Sequence, residues 1–388
     1  MEPWDFNLRH LRAFAETFEL GTVVAAAHAI HLSQPAVTQA IARLETQIGE
    51  VLFARRPDGM TPLATAQTLH HRAVAALSLV GSPRVTSTQA RAFLALAKAG
   101  SYTEASARVR VSKASLHRSV NDLELAVGAK LVERRGRGLE LSRRGRLLAR
   151  ALRLAQAELE AALVELAAQR GDSRGRISIG AMPLCRARLL PAAIVAFQAS
   201  HPGFAVSVAE GSHNELIDPL RDGELDMLIG ALRTPSPGPD LIQSPLMIDH
   251  PVLIARRNHP ATAGGITPSL AQLAQFDWVV PPLGVPLREH WRMMFLDAGI
   301  EPPAVVVESG SVMTIRQILM RTDCLTILSP DQVTAELEAG WLTIVRETPS
   351  SLRRTIGFTL RRDWRPPPQQ AAFILALQAA GAMPSELE

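Results

Sequence analysis

Two clusters of polar side chains with a common spacing carry the chemistry most readable in this chain. Wound at 3.6 residues per turn from Ser33, the segment to residue 44 turns Ala36, Val37, Ala40, Ile41 and Leu44 inward, and Gln34, Pro35, Thr38, Gln39 and Arg43 outward. Ser33 suits the N-cap, and Pro35 falls in the first turn, where its missing N–H costs nothing. The outward set is small and can donate and accept hydrogen bonds, which is what reading base edges in a DNA major groove demands. Further along, Ser112, Lys113, His117, Arg118 and Asn121 make a similar face. Arginines follow each cluster, Arg55 and Arg56 after the first and Arg134, Arg135 and Arg137 after the second, suited to phosphates or a minor groove. The chain has no Ser/His/Asp, metal-ligand or phosphate-loop spacing, and histidines such as His250, His259 and His290 read as surface or core residues, so no catalysis, cofactor or metal is expected.

The elements that position these faces repeat at an offset of 79 residues. Arg12, Ala13 and Phe14 recur as Arg91, Ala92 and Phe93; Gly21 as Gly100; Ser33 as Ser112; Leu44 and Glu45 as Leu123 and Glu124; Gly49 as Gly128; Leu52 as Leu131; Arg55 and Arg56 as Arg134 and Arg135. The register holds without a gap, as a duplicated module requires. In each copy a helix with an i, i+3, i+4, i+7 stripe (Leu11, Phe14, Ala15, Phe18) stops at a glycine. A short helix and the outward-facing third helix follow. A short apolar strand at residues 51–53 is expected to run into a turn carrying Arg55 and Arg56, forming a two-stranded wing. Three helices and a wing make a winged helix-turn-helix, whose third helix suits the major groove.

The string LSQPAVTQAIARLETQIGEVLFARR at residues 32–56 resembles the DNA-binding head of LysR-type transcriptional regulators. Residues 111–145 are similar but looser: Lys113 and Ala114 replace Gln-Pro, and Val132 replaces Phe. The first copy departs at Leu63-Ala64-Thr65-Ala66, where the family has Leu-Thr and then Gly. Ordinary members have one head; this chain has two in tandem. The resemblance implies double-stranded DNA, a small-molecule effector such as a sugar or small carboxylate, RNA polymerase and further copies of the chain, as homodimer or homotetramer, as partners.

Charge separates the heads. The 388 residues carry a net charge of +4, but residues 1–83 hold 6 basic and 7 acidic groups, residues 84–150 hold 15 and 5, and residues 177–388 hold 16 and 21. Because phosphate neutralisation supplies most sequence-independent affinity, the second head should dominate non-specific binding. Both heads are expected to touch DNA, with Gln34, Thr38 and Arg43 offered to bases in the first and Lys113, His117 and Arg118 in the second. The alternative is that one head is a structural or dimerising copy.

The composition, 47% hydrophobic and 20% charged, excludes a disordered protein, and no apolar run reaches the roughly 18 residues that span a bilayer. With no apolar export segment in residues 1–10 and only Cys185 and Cys324, a soluble, cytoplasmic protein without disulfides or a membrane partner is expected. The domains read as residues 1–83 for the first head with a short connecting helix, 84–142 for the second head, 143–175 for a linker helix and hinge, and 176–388 for an effector-binding domain. On the linker, Leu148, Leu152, Ala155, Leu159, Ala162 and Leu166 alternate spacings of 4 and 3, a plausible dimer seam; packing on its own domain is the other reading.

From residue 176 apolar strand-like runs alternate with helices, which implies two α/β lobes built on parallel sheets, the first about 176–249 with 353–388 and the second about 250–352. This half resembles the family's effector-binding domain, a type 2 periplasmic-binding-protein fold. The runs LIGALRTPSPGPDL (228–241) and GVPLR (284–288) are similar to the branch containing the galactose-binding-protein regulator. The fold class is thus multidomain: two all-α-type winged helix-turn-helix domains, a linker helix, and a two-lobed α/β domain.

Ligands in open α/β lobes sit beyond the carboxyl ends of strands. The candidate walls are Met182, Pro183, Leu184 and Cys185 after the first strand, Ser212 and His213 after the next, and Arg233 after a third. In the second lobe they are Pro282, Gly284 and Arg288, with Ser309, Ser311 and Met313 at a helix start, where free N–H groups suit a carboxylate. Each has a plainer reading: Ser311 as a helix cap, Met182 and Met313 as core, Arg288 as a solvated helix residue. Relatives carry Ser or Thr in the loop after the first strand, where this chain has Met-Pro-Leu-Cys. The leading function is a ligand-controlled DNA-binding regulator; the rivals are a solute-binding protein or enzyme on the same lobes, and a regulator whose C-terminal half is a ligand-free interaction module.

Overall fold

The computed structural model describes residues 1–57, 59–135, 138–172, 174–263 and 265–382, with Arg135 described as a strand position only. The chain forms two compact units, one of residues 1–175 with short pieces at 222–224 and 366–368, and one of the remainder. Among the described residues no helix is long and apolar enough to cross a membrane.

The N-terminal unit repeats its elements at the interval of the sequence. The first head has α1 (Leu8–Leu20), α2 (Val23–Ala29), α3 (Gln34–Ile48), β1 (Phe53–Arg56), β2 (Gly59–Pro62) and α4 (Ala64–Val80). The second has α5 (Ser87–Ala99), α6 (Tyr102–Val109), α7 (Lys113–Val127), β3 (Val132–Arg135), β4 (Gly138–Leu141) and α8 (Arg143–Gln169). The same local chemistry sets both copies. Gly21 and Gly100 end α1 and α5 in the left-handed conformation (φ 70° and 69°), where a side chain would be strained. Ser33 and Ser112 cap α3 and α7 by accepting the amides of Ala36 and Ser115. Glu45 Oε1 accepts the Leu52 amide at 2.9 Å, and Glu124 Oε1 the Leu131 amide at 2.8 Å, which ties each third helix to its wing.

The linker stripe differs from the expected seam between subunits. Leu152, Ala155, Leu159, Ala162 and Leu166 are fully buried inside one chain, with Leu148 half-buried beside them, in a core shared with Leu69, Ala73, Ala76 and Val80 of α4. Arg72, on the same helix, is buried and ion-paired to Glu158 and Glu165 of α8. The stripe is taken up by the chain's own first head: α4, which ends at Gly81, lies against α8. Full burial of each leucine contributes about 1.5–3 kcal/mol.

Among the described residues the C-terminal unit has three sheets, a mixed five-stranded one, an antiparallel three-stranded one and a parallel pair, rather than the parallel ones expected. The first lobe contains β5 (Gly175–Ala181), α9 (Leu189–Ser200), β6 (Phe204–Glu210), α10 (His213–Arg221), β7 (Met227–Ala231) and β8 (Leu241–Asp249). The second runs through β9 (Val252–Arg256), α11 (Leu270–Leu273), β10 (Trp278–Val280), α12 (Pro286–Asp297), β11 (Val305–Glu308), α13 (Val312–Leu319), β12 (Thr326–Leu328), α14 (Thr334–Glu338) and β13 (Leu342–Glu347), before β14 (Arg354–Arg361) and α15 (Pro368–Ala382) return to the first. The five-stranded order is β6-β5-β7-β14-β8. β5 and β7 are parallel, but the returning β14 enters antiparallel to β7 and to β8. In the second lobe β9 stands between β12 and β13, antiparallel to both, while β10 and β11 pair in parallel. Trp278, Trp291 and Phe295 form its aromatic core, with ring centroids 5.5–5.6 Å apart.

Candidate nucleic-acid interface and ligand lobes

In the first head α3 buries Val37, Ala40, Ile41 and Leu44 and leaves Ser33, Gln34, Pro35, Gln39 and Arg43 exposed, with Thr38 half-buried and its hydroxyl donating to the Gln34 carbonyl at 3.1 Å. Arg55 and Arg56 are exposed but belong to β1 itself, a shift from the expected turn: the strand covers residues 53–56, and Val51 lies outside it and is exposed. In the second head α7 buries Leu116, Val120, Leu123 and Glu124 and leaves Ser112, Lys113, His117, Arg118 and Asn121 exposed. The His117 ring stacks on Tyr102 of α6 (centroids 3.6 Å apart, planes within 17°), a contact the sequence pattern did not reveal because the two lie on different helices. Arg134 is exposed on β3; Arg137 lies outside the described residues. Glu124 anchors this wing. Burial works against its charge, but hydrogen bonds from Lys130 (2.7 Å) and from the Leu131 and Val132 amides outweigh it and hold its carboxyl below the ordinary range.

The candidate ligand walls divide into residues that face inward and residues at strand ends. Met182 and Cys185 are both core residues. Met182 is buried with Leu216, Leu220 and Leu228, and the Cys185 thiol donates to the carbonyls of Met182 (3.1 Å) and Ile229 (3.4 Å). Burial pushes that thiol up to about 12, so it is neutral and unreactive. The turn of residues 183–186 folds back on β7 and draws both side chains into the core, leaving Pro183 and Leu184 half-buried above them.

Ser212 is exposed, and its amide and hydroxyl both donate to Glu215 Oε2 at 2.8 Å. His213 is half-buried; burial first, then the nearby Arg233 and Arg221 charges, lower its pKa. Arg233 has both backbone groups paired with the Gln243 amide (2.8 and 2.9 Å), burial lowers its pKa, and its Nε is buried without a hydrogen-bond partner. In the second lobe Pro282 is half-buried and Gly284 exposed. Arg288 is not a solvated helix residue: it lies 5.0 Å from the Trp291 ring centroid and 3.4 Å from Glu308, with Nη1 buried and unpartnered. Ser311 caps α13 by accepting the Thr314 amide, and its own amide donates to Ser309 Oγ at 3.1 Å. Met313 is 71% exposed, on the rim of a shallow depression with Gln317 and Arg321. The lobes are joined by Arg188, whose Nε donates to Asp331 at 2.9 Å.

Comparison with known proteins accounts for both units. Residues 8–67 and 87–146 each match the family described as bacterial regulatory helix-turn-helix protein, lysR family, and residues 170–382 match the LysR substrate binding domain. The transcriptional regulator GalR of Pseudomonas putida is 32% identical over 385 residues, 96% of each chain, so the alignment runs through both heads. GbpR of Azospirillum brasilense is 27% identical over 253 residues, covering 65% of this chain and 74% of that one. Among solved structures, ArgP of Mycobacterium tuberculosis has the same fold (TM-score 0.57, 20% identity), covering 76% of this chain and 96% of its own. With two helix-turn-helix heads and an effector-binding domain, the chain belongs to the LysR family of transcriptional regulators.

Proposed function

We propose that both heads contact DNA and that the C-terminal lobes sense a small carboxylate held between Arg233 and Arg288. The carrying observation is that each of these arginines keeps a buried guanidinium nitrogen without a hydrogen-bond partner. A buried unpaired donor on a charged group is costly, and an anion arriving from solvent relieves the cost. The ligand walls are then Arg233, His213 and Ser212 in one lobe and Arg288, Pro282, Gly284, Ser309 and Ser311 in the other; Met182 and Cys185 take no part. On this reading the chain is a regulator rather than an enzyme, RNA polymerase is its downstream partner, and any self-association uses surfaces other than the linker stripe.

The experiment is a thermal-shift screen of the full chain against small carboxylates and neutral sugars, followed by DNA binding with and without the hit. A carboxylate at 100 times its Kd stabilises the chain by about 2.7 kcal/mol, and Arg233→Met or Arg288→Met removes the shift. A sugar whose effect survives both substitutions overturns the carboxylate assignment; no stabilisation by any compound favours the ligand-free module. For the heads, Lys113→Ala and Arg134→Ala each lower the salt slope of binding by about one, and Gln34→Ala and Arg43→Ala alter the footprint.

A further inference from the structure

The two heads touch through positions that are one another's counterparts to within about two residues. Leu8 and Ser87 open α1 and α5, one repeat apart, and the Leu8 amide donates to Ser87 Oγ at 3.3 Å. Arg12 on α1 donates to the carbonyls of Ser82 (2.6 Å) and Pro83 (2.7 Å), in the segment leading into α5. Its counterpart Arg91 on α5 reaches Asp5, 3.9 Å away, in the segment leading into α1. α4 and α8, which begin at equivalent positions, run antiparallel: Gln169 meets Thr68, and Glu165, four residues earlier, meets Arg72, four residues later. The counterparts Ala73 and Leu152, Ala76 and Ala155, and Val80 and Leu159 are all buried in this one seam.

A contact in which i touches j while the counterpart of j touches the counterpart of i is the signature of a two-fold axis. The axis passes between Leu8 and Ser87 and through the α4/α8 seam, so it relates α3 to α7. Duplex DNA has two-fold axes of its own, and paired reader helices related by one read half-sites in inverted orientation.

We infer that a single chain is an internal dimer that reads one operator made of two inverted, unlike half-sites. α3, with Gln34, Thr38 and Arg43, takes one half, and α7, with Lys113, His117 and Arg118, takes the other. The inference rests on the proposal above that both heads contact DNA.

The test begins with selection of bound duplexes from random pools by the full chain. The expected sites contain two different half-sites in inverted orientation, and the Lys113→Ala, Arg118→Ala pair changes the preference in one half only. Sedimentation with the minimal selected duplex then gives one chain per duplex. Turning one half-site around, or lengthening the spacer by half a helical turn, weakens binding at least tenfold. Two half-sites in direct orientation, or two chains on the minimal duplex, overturn the internal dimer while leaving both heads as readers. A selected site with a single half, indifferent to substitutions in one head, overturns the two-reader proposal itself and the inference with it.

Discussion

Arg72 and Glu165 form a two-point ion pair, Nη2 to Oε1 at 2.5 Å and Nε to Oε2 at 3.3 Å, which joins a helix of the first head to the linker of the second. Glu158 takes the remaining Nη1 at 2.9 Å, and Arg72 is nearly sealed from solvent. Burial opposes the guanidinium's charge, yet the two glutamates outweigh it and raise its pKa. Arg72→Ala strands two carboxylates in a largely buried seam and is expected to cost about 3–5 kcal/mol, read as a lowered unfolding temperature of the N-terminal unit in calorimetry of the full chain. Adding Glu158→Gln and Glu165→Gln recovers much of the loss; no recovery would assign the cost to lost packing by the arginine stem instead.

Glu124 sets an acid limit for the second head. Its carboxyl titrates below its usual value, so the unfolded chain takes up the proton first. The stabilisation is complete above about pH 4.5, the usual range for a glutamate, and is lost as pH falls through the lower folded value. Glu124→Gln leaves the Leu131 and Val132 amides with a weaker acceptor, costs about 1–3 kcal/mol near neutrality, and flattens the acid limb. Hydrogen exchange at the Leu131 amide against pH measures both effects, and an unchanged acid limb would mean that other carboxylates set it.

Gly145 packs against the wing of its own head. A Cβ there would stand 2.0 Å from the Leu131 carbonyl oxygen, whereas the first head carries Ala66 at the equivalent position, fully buried. Gly145→Ala is therefore expected to destabilise by about 1–3 kcal/mol and to impair DNA binding through the second head only. Ala66→Gly should cost about 1 kcal/mol, the helix propensity difference. Equal effects of the two substitutions on unfolding temperature would show that the heads tolerate this contact alike.

Cys185 is shut away in the folded protein, and Cys324 is buried too. A disulfide reagent is expected to label neither thiol in native buffer and both in urea. Rapid native labelling of Cys185, mapped by mass spectrometry, would show that the turn after β5 opens.

The heads were legible in the sequence because their information is local: caps, glycine stops and helical stripes are written within a few residues of where they act. The repeat fixed the element order to the residue, as α3 and α7 show. The partner of the linker stripe was not legible, since Leu152 and Leu159 look the same whether they meet a second subunit or α4 of their own chain. β8 carries little strand signal because it is an edge strand with Pro245 and little alternation of burial, and β9 because its short buried run has no period. The inward turn of Met182 and Cys185 depends on the turn at 183–186 packing on β7, a contact 44 residues distant in sequence. The orphaned nitrogens of Arg233 and Arg288 were equally invisible, since whether an arginine finds a partner depends on the surrounding fold.

The α4/α8 seam also bears on how a reader of this kind can change over time. In a homodimer both heads come from the same codons, so every substitution appears twice and the recognised sequence must keep its symmetry. Here each head has its own stretch of the gene, while the seam holds them in the geometry of a pair. One head could gather arginine and lysine while the other turned faintly acidic, as the counts of 15 basic against 5 acidic residues and of 6 against 7 record. Such a protein can follow an operator that drifts in one half alone, a freedom closed to any regulator whose two readers are copies of one sequence.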